Sequence, residues 1–196
     1  MSGNTSASGG PLTPISAPPA QDSALDDVLQ ALVVALTGLP GTMVRPRYQP
    51  EPPVSPAWNV NWCAIGITEL TSDETPFIKH NSEGDGTDTL MRHEQIDALA
   101  SFYGTSAFNN ATLLRDGLAI PQNSEALLPY GIKVRDAGPL QKAPALVNAR
   151  WVVRVDVPMS FRRQYARTYN VNNLVAAEGV IVADTGATSI FEVNEP

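Results

Sequence analysis

The string His93-Glu94-Gln95-Ile96-Asp97 is where the sequence comes nearest to a metal-dependent hydrolase. Zinc proteases set two histidines one helical turn apart with a glutamate beside the first, because both imidazoles must reach one ion from the same side. Here the second position is Asp97, and the other histidine of the chain, His80, is distant. A set so short of nitrogen and sulfur ligands makes a poor zinc site. The stretch "EGDGTD" (83–88) holds three acids but lacks the spacing and the closing bidentate glutamate of an EF-hand loop, so a solvated hairpin turn is expected. Cys63 is the one cysteine. It lies in an apolar run and reads as an inert core thiol, with no second thiol for a disulfide or a Cys-based metal site.

Other chemical signatures are absent from the sequence. No Gly-rich loop ends in Gly-Lys-Ser/Thr, and no Gly-x-Ser-x-Gly elbow occurs. Arg115 and Asp116 read as a surface ion pair. The two helical stretches across 106–130 are too far apart for a helix-turn-helix, and the second has no Arg or Lys to touch a base or a phosphate. A chain without catalytic residues, metal or cofactor is therefore expected, and on its residues alone it reads as an interaction protein, not an enzyme.

Charge gives the interaction its first outline. The net charge of −7 disfavours free nucleic acid as the main partner. Ten of the thirteen basic residues are arginine, and Arg150, Arg154, Arg162, Arg163 and Arg167 fall in one stretch whose single acid is Asp156. Most acids come earlier: Asp22, Asp26 and Asp27, then Asp73 and Glu74, then Glu83, Asp85 and Asp88. Arginine's planar fork suits carboxylate and phosphate pairing. An acidic first part and an Arg-rich late strand can pair head to tail between copies; a solvated strand face with scattered ion pairs is the alternative.

The elements that must carry these residues follow from periodicity. Residues 1–21 are Ser, Gly, Pro and Thr with few large apolar side chains, too few to offset their ordering entropy, so a flexible tail is expected. In "SALDDVLQALVVALTGLPG", Ser23 is the expected cap, Leu25, Val28, Leu29, Leu32, Val33 and Leu36 recur at helical spacing, and Gly38 and Pro40 stop the helix. "ALVVAL" is apolar all round and must be covered by the chain's own sheet or by a neighbouring subunit, which makes Leu25, Leu29 and Val33 interface candidates beside the five arginines. No apolar run is long enough to span a bilayer, and no charged-then-apolar leader is read, so an intracellular or particle-bound chain is expected.

Five prolines from 46 to 56 make an extended connection. Trp58, Val60, Trp62 and Ala64 then predict a strand with that face buried. Residues 89–103 fit a helix through Ile96, Leu99, Ala100 and Tyr103, and a strand through Ile96, Ala98, Ala100 and Phe102. Ser106 is the expected cap of a helix that Gly117 ends, and a short helix follows to Gly131. "WVVRVDVPMSFRRQYARTY" alternates with Trp151, Val153, Val155, Val157, Met159 and Phe161 on one face, and Pro158 marks an edge or a bulge. The fold class is α+β, a mainly antiparallel, mixed sheet with helices packed on one face, in one domain over 22–185 followed by a short tail at 186–196.

"RHEQIDALASFYG", "ATLLRDGLAIPQN", Gly131-Ile132 and "WVVRVDVPM", in that order, resemble the neck or tail terminator proteins of contractile-tailed bacteriophages. The resemblance spans residues 24–183. It implies that 89–103 is a strand with its apolar side chains on the Phe102 face. It also implies a virion component that forms a homo-hexameric ring between neck or connector proteins and the tail tube and sheath, assembled in the host cytoplasm. Such a ring ends tail polymerisation and passes genomic DNA through its lumen without sequence-specific binding. The alternative is a monomeric head–tail adaptor that docks an anionic partner through the Arg-rich strand.

Overall fold

The computed structural model describes residues 4–51, 53–147, 150–174, 176–182, 184–186 and 188–194. The described residues form two compact units, one from Pro18–Phe77 with Met91–Ala166, the other from Met1–Ala17, Ile78–Leu90 and Arg167–Pro196.

The first unit begins with α1 (Ser23–Thr37), whose Leu25, Val28, Leu29, Leu32 and Val33 are buried. Its cap is Asp22 rather than Ser23; Asp22 stands at φ 51 and its carboxylate makes no cap hydrogen bond. Gly38, at φ 71, closes the helix with its N–H on the Val34 carbonyl. β1 (Val44–Pro46) runs parallel to β2 (Trp62–Ser72). β3 (Phe77–Asn81), which beyond Phe77 belongs to the second unit, leads to β4 (Thr87–Tyr103), a single long strand whose residues from Met91 on belong to the first, as the resemblance implies. Its Ile96, Ala98, Ala100 and Phe102 are all buried, so tertiary burial selects the period of two over the helical one.

β2 pairs antiparallel with β4 in a register that sets Cys63 opposite Phe102 and Ile65 opposite Ala100. The core face of β2 is therefore Cys63 and Ile65. Trp62 and Ala64 lie on the other face and Trp58–Val60 precede the strand, which corrects the face expected from the sequence. α2 (Ala107–Leu118) follows a corner at Gly104. Ser106 holds the N-cap position as expected, without a cap hydrogen bond from its hydroxyl, and its own N–H donates to Asn61 at 2.8 Å. Gly117 lies inside α2, where an added Cβ would come within 3.1 Å of Leu36; it admits α1 rather than ending the helix. A 3-10 helix over Pro121–Tyr130 leads to β5 (Ile132–Ala137).

After β6 (Gln141–Lys142) and the two-stranded hairpin of β7 (Ala145–Val147) and β8 (Arg150–Val152) comes β9 (Arg154–Tyr169). The sheet runs β1-β2-β4-β9-β5, with β3 also on β4 and β6 also on β9. It is mixed and mostly antiparallel, with the helices on one side: an α+β fold. Pro158 is not on an edge strand. It sits where the partner of β9 changes from β5 to β6 and its carbonyl takes the Gly138 N–H at 2.9 Å, so its missing donor falls at a gap in the ladder. The core joins α1 and α2 to Cys63, Ile65, Phe102, Val155, Val157 and Phe161.

In the second unit, residues expected to form a flexible tail are hydrogen-bonded: Ile15 donates to the Thr168 carbonyl at 2.8 Å, and the Ser6 hydroxyl accepts from Asn172 at 2.6 Å. β10 (Ala176–Val182) and β11 (Thr188–Asn194) form an antiparallel hairpin where a last strand and a fraying end were expected. Residues 195 and 196 of the expected tail lie outside the described residues.

Gly131 and Gly38 give a direct test of local geometry. Both have φ near 70°, but a Cβ at Gly131 would lie 2.2 Å from the Gln164 carbonyl oxygen, whereas one at Gly38 meets nothing within 4 Å. Gly38→Ala is expected to cost about 1–2 kcal/mol, the left-handed penalty alone, and Gly131→Ala distinctly more. Equal losses in urea denaturation would show that the Gly131 turn yields freely.

Candidate assembly surface

Strand geometry separates the residues that suggested metal chemistry. Alternation along β4 puts His93, Gln95 and Asp97 on the open face and Glu94 on the helix face. His93 Nδ1 lies 3.3 Å from Asp73, with both side chains more than half exposed. Asp97 accepts from Gln95 at 3.0 and 3.2 Å. Among the described residues, no three His, Cys, Asp or Glu side chains are grouped so as to hold a metal ion. Cys63 is fully buried, and that burial pushes its thiol well above the usual range.

The acidic loop at 82–86 is a clasped turn. Asn173 donates its amide to the carbonyls of Ser82 and Gly84 at 2.9 and 3.0 Å, and its N–H bonds the Asp85 carbonyl at 3.0 Å. His80 lies beside it with Nδ1 2.6 Å from Asp88 and Nε2 2.9 Å from the Asn173 amide oxygen. Two acceptors for two ring nitrogens favour the imidazolium, and the Asp88 hydrogen bond is the main cause of a raised His80 pKa.

The eight interface candidates divide by burial. Leu25, Leu29 and Val33 are 2%, 1% and 0% exposed. α1 is covered by the chain's own β1, β2, α2 and 3-10 helix, so these side chains keep no surface for another copy. Arg163 is likewise spent internally: Nε and Nη2 donate to Glu94 at 3.0 and 2.5 Å, Nη1 donates to the Ala20 carbonyl, and the side chain is fully buried. Arg154 forks onto Asp156 at 2.8 and 2.7 Å, and those hydrogen bonds raise its pKa. Asp156 also accepts from Ser101 at 2.6 Å, and Ser101 in turn accepts from Arg47. Arg167 is half-buried. Arg150 is exposed with its guanidinium 5.6 Å from the Trp58 ring, and Arg162 is exposed on the open face.

One grouped apolar exposure was not anticipated. Trp151 and Val153, expected on one strand face with Val155, Val157 and Phe161, are 69% and 56% exposed, because the run breaks at Val153 into two strands. Leu146 on β7, directly across from Trp151, is 61% exposed, and Trp58, against Arg150, is 52% exposed. Nearby chemistry on the open face is aromatic: Trp62 stacks on Tyr103 with centroids 4.2 Å apart, and Arg45 lies 5.9 Å from the Trp62 ring.

A model of the family described as phage neck terminator protein matches residues 23–186. Among curated proteins nothing matches the chain.

The buried pair and the histidine clasp are both open to measurement. Glu94→Gln is expected to destabilise the fold by about 3–5 kcal/mol by leaving a buried guanidinium without its counter-charge, and Glu94→Leu with Arg163→Met to recover most of that. Denaturation of the unmodified chain, Glu94→Leu, Arg163→Met and the double variant giving simply additive losses would contradict the pairing. His80 should titrate by NMR with a midpoint above the usual 6.5, falling back toward it in Asp88→Asn. A raised folded pKa means that this contribution to stability is complete below about pH 6.5 and is lost as pH rises through the raised value.

Proposed function

The chain belongs to the phage neck terminator family, a structural component of the virion neck, and from that premise we propose that copies of it join head to tail into a hexameric ring. The ring closes the growing end of a contractile tail, bridges the tube and sheath to the head connector, and leaves a channel for the genome. It works through surfaces rather than through a reaction.

The observation that carries self-assembly is the cluster of Leu146, Trp151 and Val153, with Trp58 against Arg150. Tryptophan is enriched in the cores of protein interfaces, and exposed apolar side chains grouped on one hairpin are a feature that a partner would cover. Net charge supports the channel. A chain at −7 repels phosphates on average, so DNA passes without being gripped. The adaptor reading, an anionic partner held along the Arg-rich strand, has less to stand on, since Arg154 and Arg163 are committed to Asp156 and Glu94.

Light scattering and negative-stain imaging of the full chain, alone and with purified tail-tube protein, are expected to find discrete rings. Leu146→Asp with Trp151→Ala should reduce them while shifting unfolding by no more than about 0.5 kcal/mol, as suits exposed positions. Monomers under both conditions would overturn the reading.

A further inference from the structure

Lys133 on β5 and Arg162 on β9 stand directly across from each other in the ladder. Both are exposed on the face of the sheet away from the helices. Like charges at opposed positions repel, and neither residue has a carboxylate partner among the described residues. They border a groove of about 580 Å³ whose walls include Thr71, Gln95 and Gly131 and two carboxylates engaged elsewhere, Asp73 beside His93 and Glu94 bonded to Arg163. Gln95 is drawn toward Arg135 instead. The pair therefore presents two unneutralised cations at a concave surface, which a carboxylate-bearing partner fits.

The same compact unit carries the complementary charge on the opposite side of its sheet. Asp22, Asp26 and Asp27 crowd the start of α1, and none is in an ion pair among the described residues. The Asp22 carboxylate is not engaged as a helix cap. Partial burial, then the neighbouring Asp27 and Asp22, raise the Asp26 pKa, as crowded like charges do.

Resting on the self-assembly reading, we propose that Lys133 and Arg162 of one copy receive Asp22, Asp26 and Asp27 of the next. The two patches are different, complementary, and on opposite faces of one sheet. Such a contact is heterologous and propagates head to tail, closing into a ring when the rotation permits. It adds orientation to the apolar contact of the β7–β8 hairpin, because reversed copies would bring like charges together.

The test uses the full chain under the conditions in which rings form. Lys133→Glu with Arg162→Glu, and separately Asp26→Lys with Asp27→Lys, are each expected to weaken assembly about tenfold or more, since a few lost or reversed ion pairs suffice for that. Combining all four substitutions in one chain restores opposite signs across the contact and should restore the rings. Assembly of the unmodified chain should weaken between about 0.1 and 1 M salt, as the screening length falls from about 10 to about 3 Å. Thermal melting of each variant separates misfolding from lost contact, and if the α1 variant does not fold, the exposed Lys133/Arg162 variant still decides. Rings that survive both reversals overturn this contact and leave self-assembly standing. Monomers from the unmodified chain overturn both. Intact rings in which the Lys133/Arg162 variant loses only affinity for a short DNA duplex would assign the pair to phosphate instead.

Discussion

Arg163 is fully buried, and the charge it needs comes from another strand. Glu94 lies directly across on β4, facing the helices, and the two groups bond at 2.5 and 3.0 Å. Seven residues along, on the other face, Ser101 bonds Asp156 at 2.6 Å. Stepping forward from Asp156 to Arg163 on β9 steps back from Ser101 to Glu94 on β4, so the strands are antiparallel and both contacts obey one register. A slip by one residue would send Arg163 to the open face and leave Glu94 among apolar side chains. Breaking a buried pair costs far more than forming it gains, so this pair acts chiefly against wrong registers.

That register distributes the rest of the fold. With Glu94 inward, Ile96, Ala98, Ala100 and Phe102 must also face inward, and α1 and α2 have a continuous apolar surface to cover. The opposite face receives Ser101 and Asp156, which no helix shields. They are only 0% and 6% exposed because Arg47 and Arg154 reach them and exclude water with their own stems. The open face of the sheet is thus closed there by guanidinium groups.

What the sequence could reveal follows from how far apart the deciding residues lie. α1 was legible because its apolar spacing is local. β4 carried both a helical and a strand pattern, and the choice depends on Glu94 meeting Arg163 sixty-nine residues later, which no window contains. The Arg-rich strand was legible as composition, but Arg154 is consumed by Asp156 two residues on and Arg163 by Glu94 on another strand, so counting arginines overstates the charge available to a partner. Likewise "ALVVAL" showed that α1 must be covered without showing by what, and the cover is the chain's own sheet. The faces of Trp58 and Trp151 were misassigned for a common reason. Alternation was extended through a turn at 58–60 and a strand break at Val153, and parity does not survive either interruption.

These substitutions of inner for outer contacts bear on the proposed ring. A subunit that must stay soluble until its neighbours arrive cannot leave a whole apolar helix exposed, and α1 is not left so. What remains outside is smaller and of two kinds: an aromatic and aliphatic hairpin with affinity but little direction, and unpaired charges of opposite sign on opposite faces of a sheet, with direction but little affinity. Neither alone would give a closed assembly. Apolar contact without polarity permits irregular aggregates, and surface ion pairs without apolar contact are worth little in salt. In the proposed assembly the cations needed are few and locally placed, so a chain at −7 would attract its own copies at those points while its average field repels phosphates.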